Sequence, residues 1–68
     1  MTPAEKGERY ARIFRKAGAL LANGSIARAV EAFKEGVKLA EEQGDAKMAA
    51  RFQAEIDRAQ AGSGRAKN

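Results

Sequence analysis

A chain of 68 residues, with a formal net charge of +4 and neither cysteine nor histidine, forms one small domain at most. A chain this short buries only about 60% of its unfolded surface, so its stability is marginal without help. The missing cysteines exclude disulfides and thiolate metal sites, and the missing histidines remove the commonest metal ligand and the usual acid–base group. We therefore expect no metal and no cofactor. A partner protein, self-association or unusually good helix packing would then supply stability.

The hydropathy and charge patterns bear on location and partners. No apolar run approaches the roughly 20 residues of a membrane span, and the first residues lack the apolar core of a secretory signal. We therefore expect a cytoplasmic protein that makes no membrane contact.

Residues 2–22 contain five basic and two acidic residues, whereas 25–43 and 45–61 are close to neutral. An acidic partner would meet the first segment or the basic end of the chain.

The first predicted helix covers about residues 3–22. Thr2 can cap its N-terminus, Pro3 suits the first helical position, and Glu5 completes a capping box with Thr2. Apolar residues then recur at the spacing of a single helical face. They are Tyr10, Ile13, Phe14, Ala17 and Leu21.

The second predicted helix covers about residues 25–43, and Ser25 is expected to cap it. Before it, Asn23 and Gly24 both tolerate the left-handed backbone conformation that ends a helix. Its apolar face has the most regular spacing in the chain: Ile26, Ala29, Val30, Phe33, Val37 and Ala40. A turn as short as this one permits only an antiparallel helical hairpin.

The third predicted helix covers about residues 46–61. Gly44 ends the second helix and Asp45 caps the third. Its narrower apolar face consists of Met48, Phe52, Ile56 and Ala59. Residues 62–68 are small or charged and have nothing to bury, so we expect a disordered basic tail. The prediction for residues 1–61 is one all-α domain, a helical hairpin with a third helix packed across it and no strand.

Large and small residues follow a distinctive order along the hairpin: Phe14, Ala17, Gly18, Leu21, Gly24, Ala29, Phe33 and Gly36. This order resembles a tetratricopeptide repeat (TPR), a helix–turn–helix of about 34 residues. The resemblance covers roughly Ile13 to Asp45. It implies that Gly18 and Ala29 are the small residues where the two helices cross. A bulky Phe52 stands where Gly18 would recur, so the third helix resembles a lid more than the start of a second repeat.

The third helix, with the sequence ARFQAEIDRAQA, is also similar to that of three-helix MIT domains (microtubule-interacting and trafficking). Those domains resemble one TPR hairpin with an extra helix. Both families bind peptides or helices in grooves between helices, and neither is catalytic. The two resemblances therefore imply a protein-interaction module.

No arrangement of residues in the sequence suggests catalysis. The acidic residues lie mostly off the apolar faces and alternate with Lys and Arg, which is typical of a solvated surface. Ser25 and Ser63 have no histidine to act as their base, and the glycines follow no phosphate-binding spacing. We expect no enzymatic activity. The large apolar side chains could anchor a partner, but their spacing along the apolar faces favours the interpretation as core residues. These are Phe14, Phe33, Phe52 and Met48.

The basic side of the first helix is the most distinctive surface feature that the sequence predicts. Its residues repeat at helical spacing beside the apolar face: Arg9, Arg12 and Lys16, with Arg15 further round. One interpretation is a solvated face. The TPR resemblance implies another, because it places four residues on the side that lines the inner groove: Arg12, Arg15, Ala19 and Asn23. Some family members clamp a peptide carboxylate there, and the planar fork of arginine binds a carboxylate through two parallel hydrogen bonds.

Two further interpretations remain open. Leu20 and Leu39 stand at the edges of their apolar faces, and an uncovered apolar edge often marks an interface with a partner or a second copy. Alternatively, the basic face together with Arg65 and Lys67 would contact nucleic-acid phosphates without sequence specificity. No stacking platform of aromatic residues accompanies them. The sequence thus favours a non-catalytic interaction module, or a small accessory subunit of a larger assembly, that binds a peptide or helix of another protein. Nucleic acid binding is the alternative.

Overall fold

The computed structural model describes residues 2–67 and the side chains as far as residue 62. It contains three α-helices, α1 (Pro3–Ala22), α2 (Ile26–Glu42) and α3 (Ala46–Lys67), and residues 2–67 include no strand. The predicted all-α hairpin with a third helix is confirmed. None of the three helices, over residues 2–67, contains an apolar stretch that could span a lipid bilayer.

The starts of the three helices differ in how they are capped. Thr2 has an extended ψ of 159°, and its hydroxyl accepts a 3.2 Å hydrogen bond from the backbone N–H of Glu5, as predicted. Asp45 likewise accepts a 3.2 Å bond from the backbone N–H of Met48. Ser25 makes no capping bond with its side chain, so that prediction is wrong. Its ψ is 66° instead of the extended value usual for a cap.

The two turns between the helices have the same construction. Gly24 and Gly44 have φ values of 79° and 68°, in the left-handed region that glycine enters without steric cost. In each turn the next residue donates a 2.8 Å bond to the last helical turn, from Ser25 to the carbonyl of Leu20 and from Asp45 to that of Ala40. This is the Schellman arrangement, and it reverses the chain direction twice within a few residues. As a result α2 runs antiparallel to both neighbours.

Helix α3 is longer than predicted. It continues to Lys67, whereas the sequence pattern ends at Ala61 and a disordered tail was expected from residue 62. No proline interrupts the segment, and each residue added to an existing helix gains one backbone hydrogen bond without a new nucleation cost. The side chains of Arg65 and Lys67 and all of Asn68 lie outside the described part.

Helix α2 packs against both α1 and α3. The buried core consists of Tyr10, Ala17, Ala29, Val30, Ala32, Phe33, Ala40, Phe52 and Ile56. Phe52 is fully buried, and its ring stacks on that of Phe14 with centroids 4.7 Å apart. Tyr10 meets the edge of the same ring at 5.7 Å. Aromatic side chains therefore join α1 to α3, and the interpretation of Phe33 and Phe52 as core residues is confirmed, with Phe14 and Met48 half-buried at its margin.

The glycine that permits close packing is Gly36. A Cβ atom built there would lie 2.6 Å from the ring of Phe52, closer than real Cβ contacts. Gly18, which the TPR resemblance places at the helix crossing, is exposed with open space around it, so that expectation is wrong. Ala17 is fully buried instead, because successive helical residues point about 100° apart and Ala17 is the one on the apolar face. Ala29 is fully buried, as expected.

Candidate partner-binding site

One side of the α1–α2 hairpin forms a shallow, continuous surface that we call the hairpin groove. Its larger part has a volume of about 450 Å³ and is lined mainly by Lys16, Leu20, Arg28, Glu31, Ala32 and Glu35. Its smaller part, of about 250 Å³, is lined by Arg9, Arg12, Ile13, Glu35 and Leu39. Glu35 belongs to both parts. The structure therefore brings together five of the predicted site residues: Arg9, Arg12, Lys16, Leu20 and Leu39.

The floor of the hairpin groove is apolar. Ile13, Leu20 and Leu39 are each half-buried and pack against the core from its edge. Ala32 beneath them is only 2% exposed. No residue of α3 in the described part lines the groove, so the third helix leaves this apolar strip uncovered. The two leucines that the sequence places at the stripe edges thus lie on one open surface.

The two walls of the groove carry opposite net charge. The α1 wall holds three basic residues and no acidic one: Arg9, Arg12 and Lys16. The α2 wall holds Glu31 and Glu35 with a single basic residue, Arg28. Across the groove, the ammonium of Lys16 lies 3.7 Å from Oε1 of Glu35, and these side chains are 60% and 67% exposed. Such exposed pairs contribute about 0–1 kcal/mol, so both groups remain free to exchange partners.

The remaining predicted site residues lie elsewhere on α1. Arg15, Ala19 and Asn23 are exposed and do not line the hairpin groove. Asn23 is the C-terminal cap of α1, and its backbone N–H bonds to the carbonyls of Ala19 and Leu20. The set derived from the TPR resemblance is therefore divided, because Arg12 reaches the groove and the other three residues occupy the solvent side.

Sequence reasoning missed the α2 wall. Arg28, Ala32, Glu35 and Leu39 recur at i, i+4, i+7 and i+11, which is a second helical stripe beside the core stripe. Because three of the four are polar or small, the sequence of α2 by itself indicates a solvated face at this stripe. Two features of the sequence could have indicated this wall: Leu39 at the end of the stripe, and the stripe of opposite charge on α1.

A polar cluster of Lys6, Tyr10, Asp45 and Met48 joins α1 to the start of α3. Oδ2 of Asp45 accepts a 3.2 Å hydrogen bond from the hydroxyl of Tyr10 and lies 3.4 Å from the ammonium of Lys6. The backbone N–H of Met48, together with Lys6 and Tyr10, lowers the pKa of Asp45 below its usual value. Burial, aided by the charge of Asp45, raises the pKa of Tyr10. The cluster fixes α1 against the turn that begins α3, and we assign it a structural role.

Among the described side chains, no group of three or more acidic residues is placed to hold a metal ion. Comparisons of the chain with family models, with curated protein sequences and with solved structures gave no match.

Proposed function

We propose that the chain is a non-catalytic protein–protein interaction module of the cytoplasm, which binds a helix or peptide of a partner protein in the hairpin groove. The observation that carries the proposal is the uncovered apolar floor formed by Ile13, Leu20 and Leu39. An amphipathic helix binds in such a groove by burying its apolar face on the floor. The charged walls then determine orientation and partner choice.

The TPR-like and MIT-like resemblances belong to the same proposal, since both families bind peptides or helices between their own helices. Helix α3 supports it in another way. Because α3 covers the opposite part of the core through Phe52, the groove is the part of the hairpin left for a partner. A small domain with an unfilled apolar strip gains stability from such a partner.

Nucleic acid binding is the alternative, and the groove fits it less well. Glu31 and Glu35 stand opposite the basic wall of α1 and would repel phosphates. Three of the four aromatic residues are buried and the fourth, Phe14, is half-buried, so no base-stacking platform is exposed.

The test is affinity capture from native lysate by the tagged full-length chain, with and without nuclease. We expect captured proteins that survive nuclease treatment and are lost from the variant Leu20→Gln with Leu39→Gln. The matched control is Ala50→Gln with Ala54→Gln, because both alanines are exposed on α3 and away from the groove. Circular dichroism confirms that both variants remain helical. Proteins that disappear with nuclease, or that persist on the leucine variant, would contradict the proposal.

A further inference from the structure

We propose that the partner of the hairpin groove is a second copy of this chain, and that two chains pair into a symmetric dimer with a four-helix core. Helices α1 and α2 of each copy would form that core, and each α3 would lie outside it. This inference rests on the proposed function, since it names the occupant of the same groove.

Charge complementarity between the walls carries the proposal. A two-fold axis parallel to the helices places α1 of one copy over α2 of the other, and α2 over α1. The wholly basic wall of α1 then faces the net acidic wall of α2 twice in one dimer. Rotation about this axis keeps each residue at its own height along the helices. Lys16, which is level with Glu35 of its own chain at 3.7 Å, would therefore also be level with Glu35 of the second copy.

The helix directions agree with this arrangement. Since α1 and α2 are antiparallel within one chain and the axis preserves direction, α1 is also antiparallel to α2 of the second copy. All neighbouring helices in the core then alternate in direction, as in up-down-up-down four-helix bundles. The apolar floor of Ile13, Leu20 and Leu39 meets its own symmetry copy, and this burial supplies stability that a chain of 68 residues lacks.

A second copy fits the groove better than an acidic peptide does. An acidic peptide would pair with the α1 wall, but it would also meet Glu31 and Glu35 across the groove. Like charges facing one another disfavour a partner. A second copy presents one wall of each sign and avoids this conflict.

The experiment measures the mass of the full chain in solution by sedimentation equilibrium. We expect a mass of twice 7.3 kDa that falls to 7.3 kDa on dilution. Two charge-reversal variants follow, one with an acidic α1 wall (Arg12→Glu with Lys16→Glu) and one with a basic α2 wall (Glu31→Lys with Glu35→Lys). In each variant both walls have the same sign, so each alone should dimerise at least tenfold more weakly than the parent.

Mixing the two variants gives the decisive result. The acidic α1 of the first matches the basic α2 of the second, and the unchanged walls match as well, so the equimolar mixture should restore a dimer. Native mass spectrometry identifies it, because only a mixed pair has the summed mass. All four substitutions are at exposed positions and introduce good helix formers. If a double variant nevertheless loses its helical circular dichroism, the single substitutions Lys16→Glu and Glu35→Lys repeat the test, because these two residues lie level with each other.

Three results would overturn the inference: a parent that stays monomeric at the highest soluble concentration, variants that each remain dimeric alone, or folded variants that fail to pair when mixed. A monomeric parent whose captured proteins are lost through Leu20→Gln with Leu39→Gln would leave the proposed function standing. If the leucine variant changes neither self-association nor capture, the proposed function fails together with the inference.

Discussion

The hydroxyl of Tyr10 donates a 3.2 Å hydrogen bond to Oδ2 of Asp45, which lies 35 residues further along the chain. The same carboxylate uses Oδ1 to cap α3 through the backbone N–H of Met48. One side chain thus begins the third helix and holds it against the first. The aromatic ring of Tyr10 extends this contact into the core, where it meets the edge of Phe52.

Tyr10→Phe removes the hydroxyl and keeps the ring. We expect a loss of about 1 kcal/mol in the free energy of unfolding, the usual net value of one hydrogen bond. Urea denaturation measures it. The control is the same substitution in an Asp45→Ala background, where no side-chain acceptor remains and the loss should shrink. Equal losses in both backgrounds would show that the hydrogen bond does not couple α1 to α3.

Asp45 also predicts how stability depends on pH. Its pKa is lowered in the folded chain, first by the backbone N–H of Met48 and then by Lys6 and Tyr10. A lowered folded-state pKa means that the folded chain prefers the charged carboxylate more strongly than the unfolded chain does. This contribution is therefore fully present above the ordinary carboxyl pKa, and it is lost as the pH falls through the lowered value.

Thermal melts across this acid range check the prediction. The melting temperature of the parent should fall on acidification more steeply than that of Asp45→Asn, which has no charge to lose at this position. Lys6→Met removes the 3.4 Å ion pair and should reduce the difference in part. Identical acid profiles for the parent and Asp45→Asn would contradict the assignment.

Gly36 and Gly18 make a matched pair with opposite expected effects. In Gly36→Ala the new methyl would lie 2.6 Å from the ring of Phe52, which is fully buried and stacked on Phe14, and overpacking of this kind costs about 1–3 kcal/mol. Gly18→Ala meets open space and should gain as much as about 1 kcal/mol from helix propensity. Urea denaturation of both variants decides. Stabilisation by Gly36→Ala would mean that the Phe52 ring moves aside freely.

Ala29→Leu tests the close approach of α1 and α2. Ala29 is fully buried, so the three added carbon atoms of leucine cannot be accommodated without displacing neighbouring groups, and we expect a loss of about 1–3 kcal/mol in the free energy of unfolding. Ala11→Leu on the exposed side of α1 is the control and should change stability little. A melting temperature equal to that of the parent would show that the two helices are not held closely at this position.

The two glycines also show what the sequence can predict. The two turns and the core stripes follow from local information, since Gly24 and Gly44 mark the turns and the apolar residues recur at helical spacing. The sequence around each helical glycine does not reveal which of them packs against a neighbouring side chain, because this depends on where the Phe52 ring lies.

The hairpin groove was predictable only in part for the same reason. Leu20 and Leu39 are recognisable in the sequence because they lie at the edges of their stripes. Glu31 and Glu35 can be assigned to a groove wall only once it is known that α3 packs on one side of α2 and leaves the other side open. The sequence pattern does not fix that side. Ser25 shows a similar limit, since its residue type suits a cap but its ψ of 66° is not the extended value usual for one.

Substitution of individual basic residues of α1 distinguishes binding in the hairpin groove from binding on the solvent side of the same helix. Arg12 lines the groove, whereas Arg15 does not. We expect Arg12→Ala to weaken association as much as tenfold at low ionic strength, and we expect Arg15→Ala to match the parent. Near 1 M salt the screening length falls to about 3 Å, so the effect of Arg12→Ala should disappear. Sedimentation equilibrium at both ionic strengths measures this.

The leucines complete the comparison. Leu20→Gln with Leu39→Gln should weaken association at low and at high salt, because burial of the apolar floor does not depend on screening of charge. The TPR resemblance leads to a different outcome, in which Arg15 contacts an acidic partner beside Ala19 and Asn23. In that case Arg15→Ala would weaken binding as strongly as Arg12→Ala, and the leucine variant would bind like the parent. This pattern would move the binding site from the hairpin groove to the solvent side of α1.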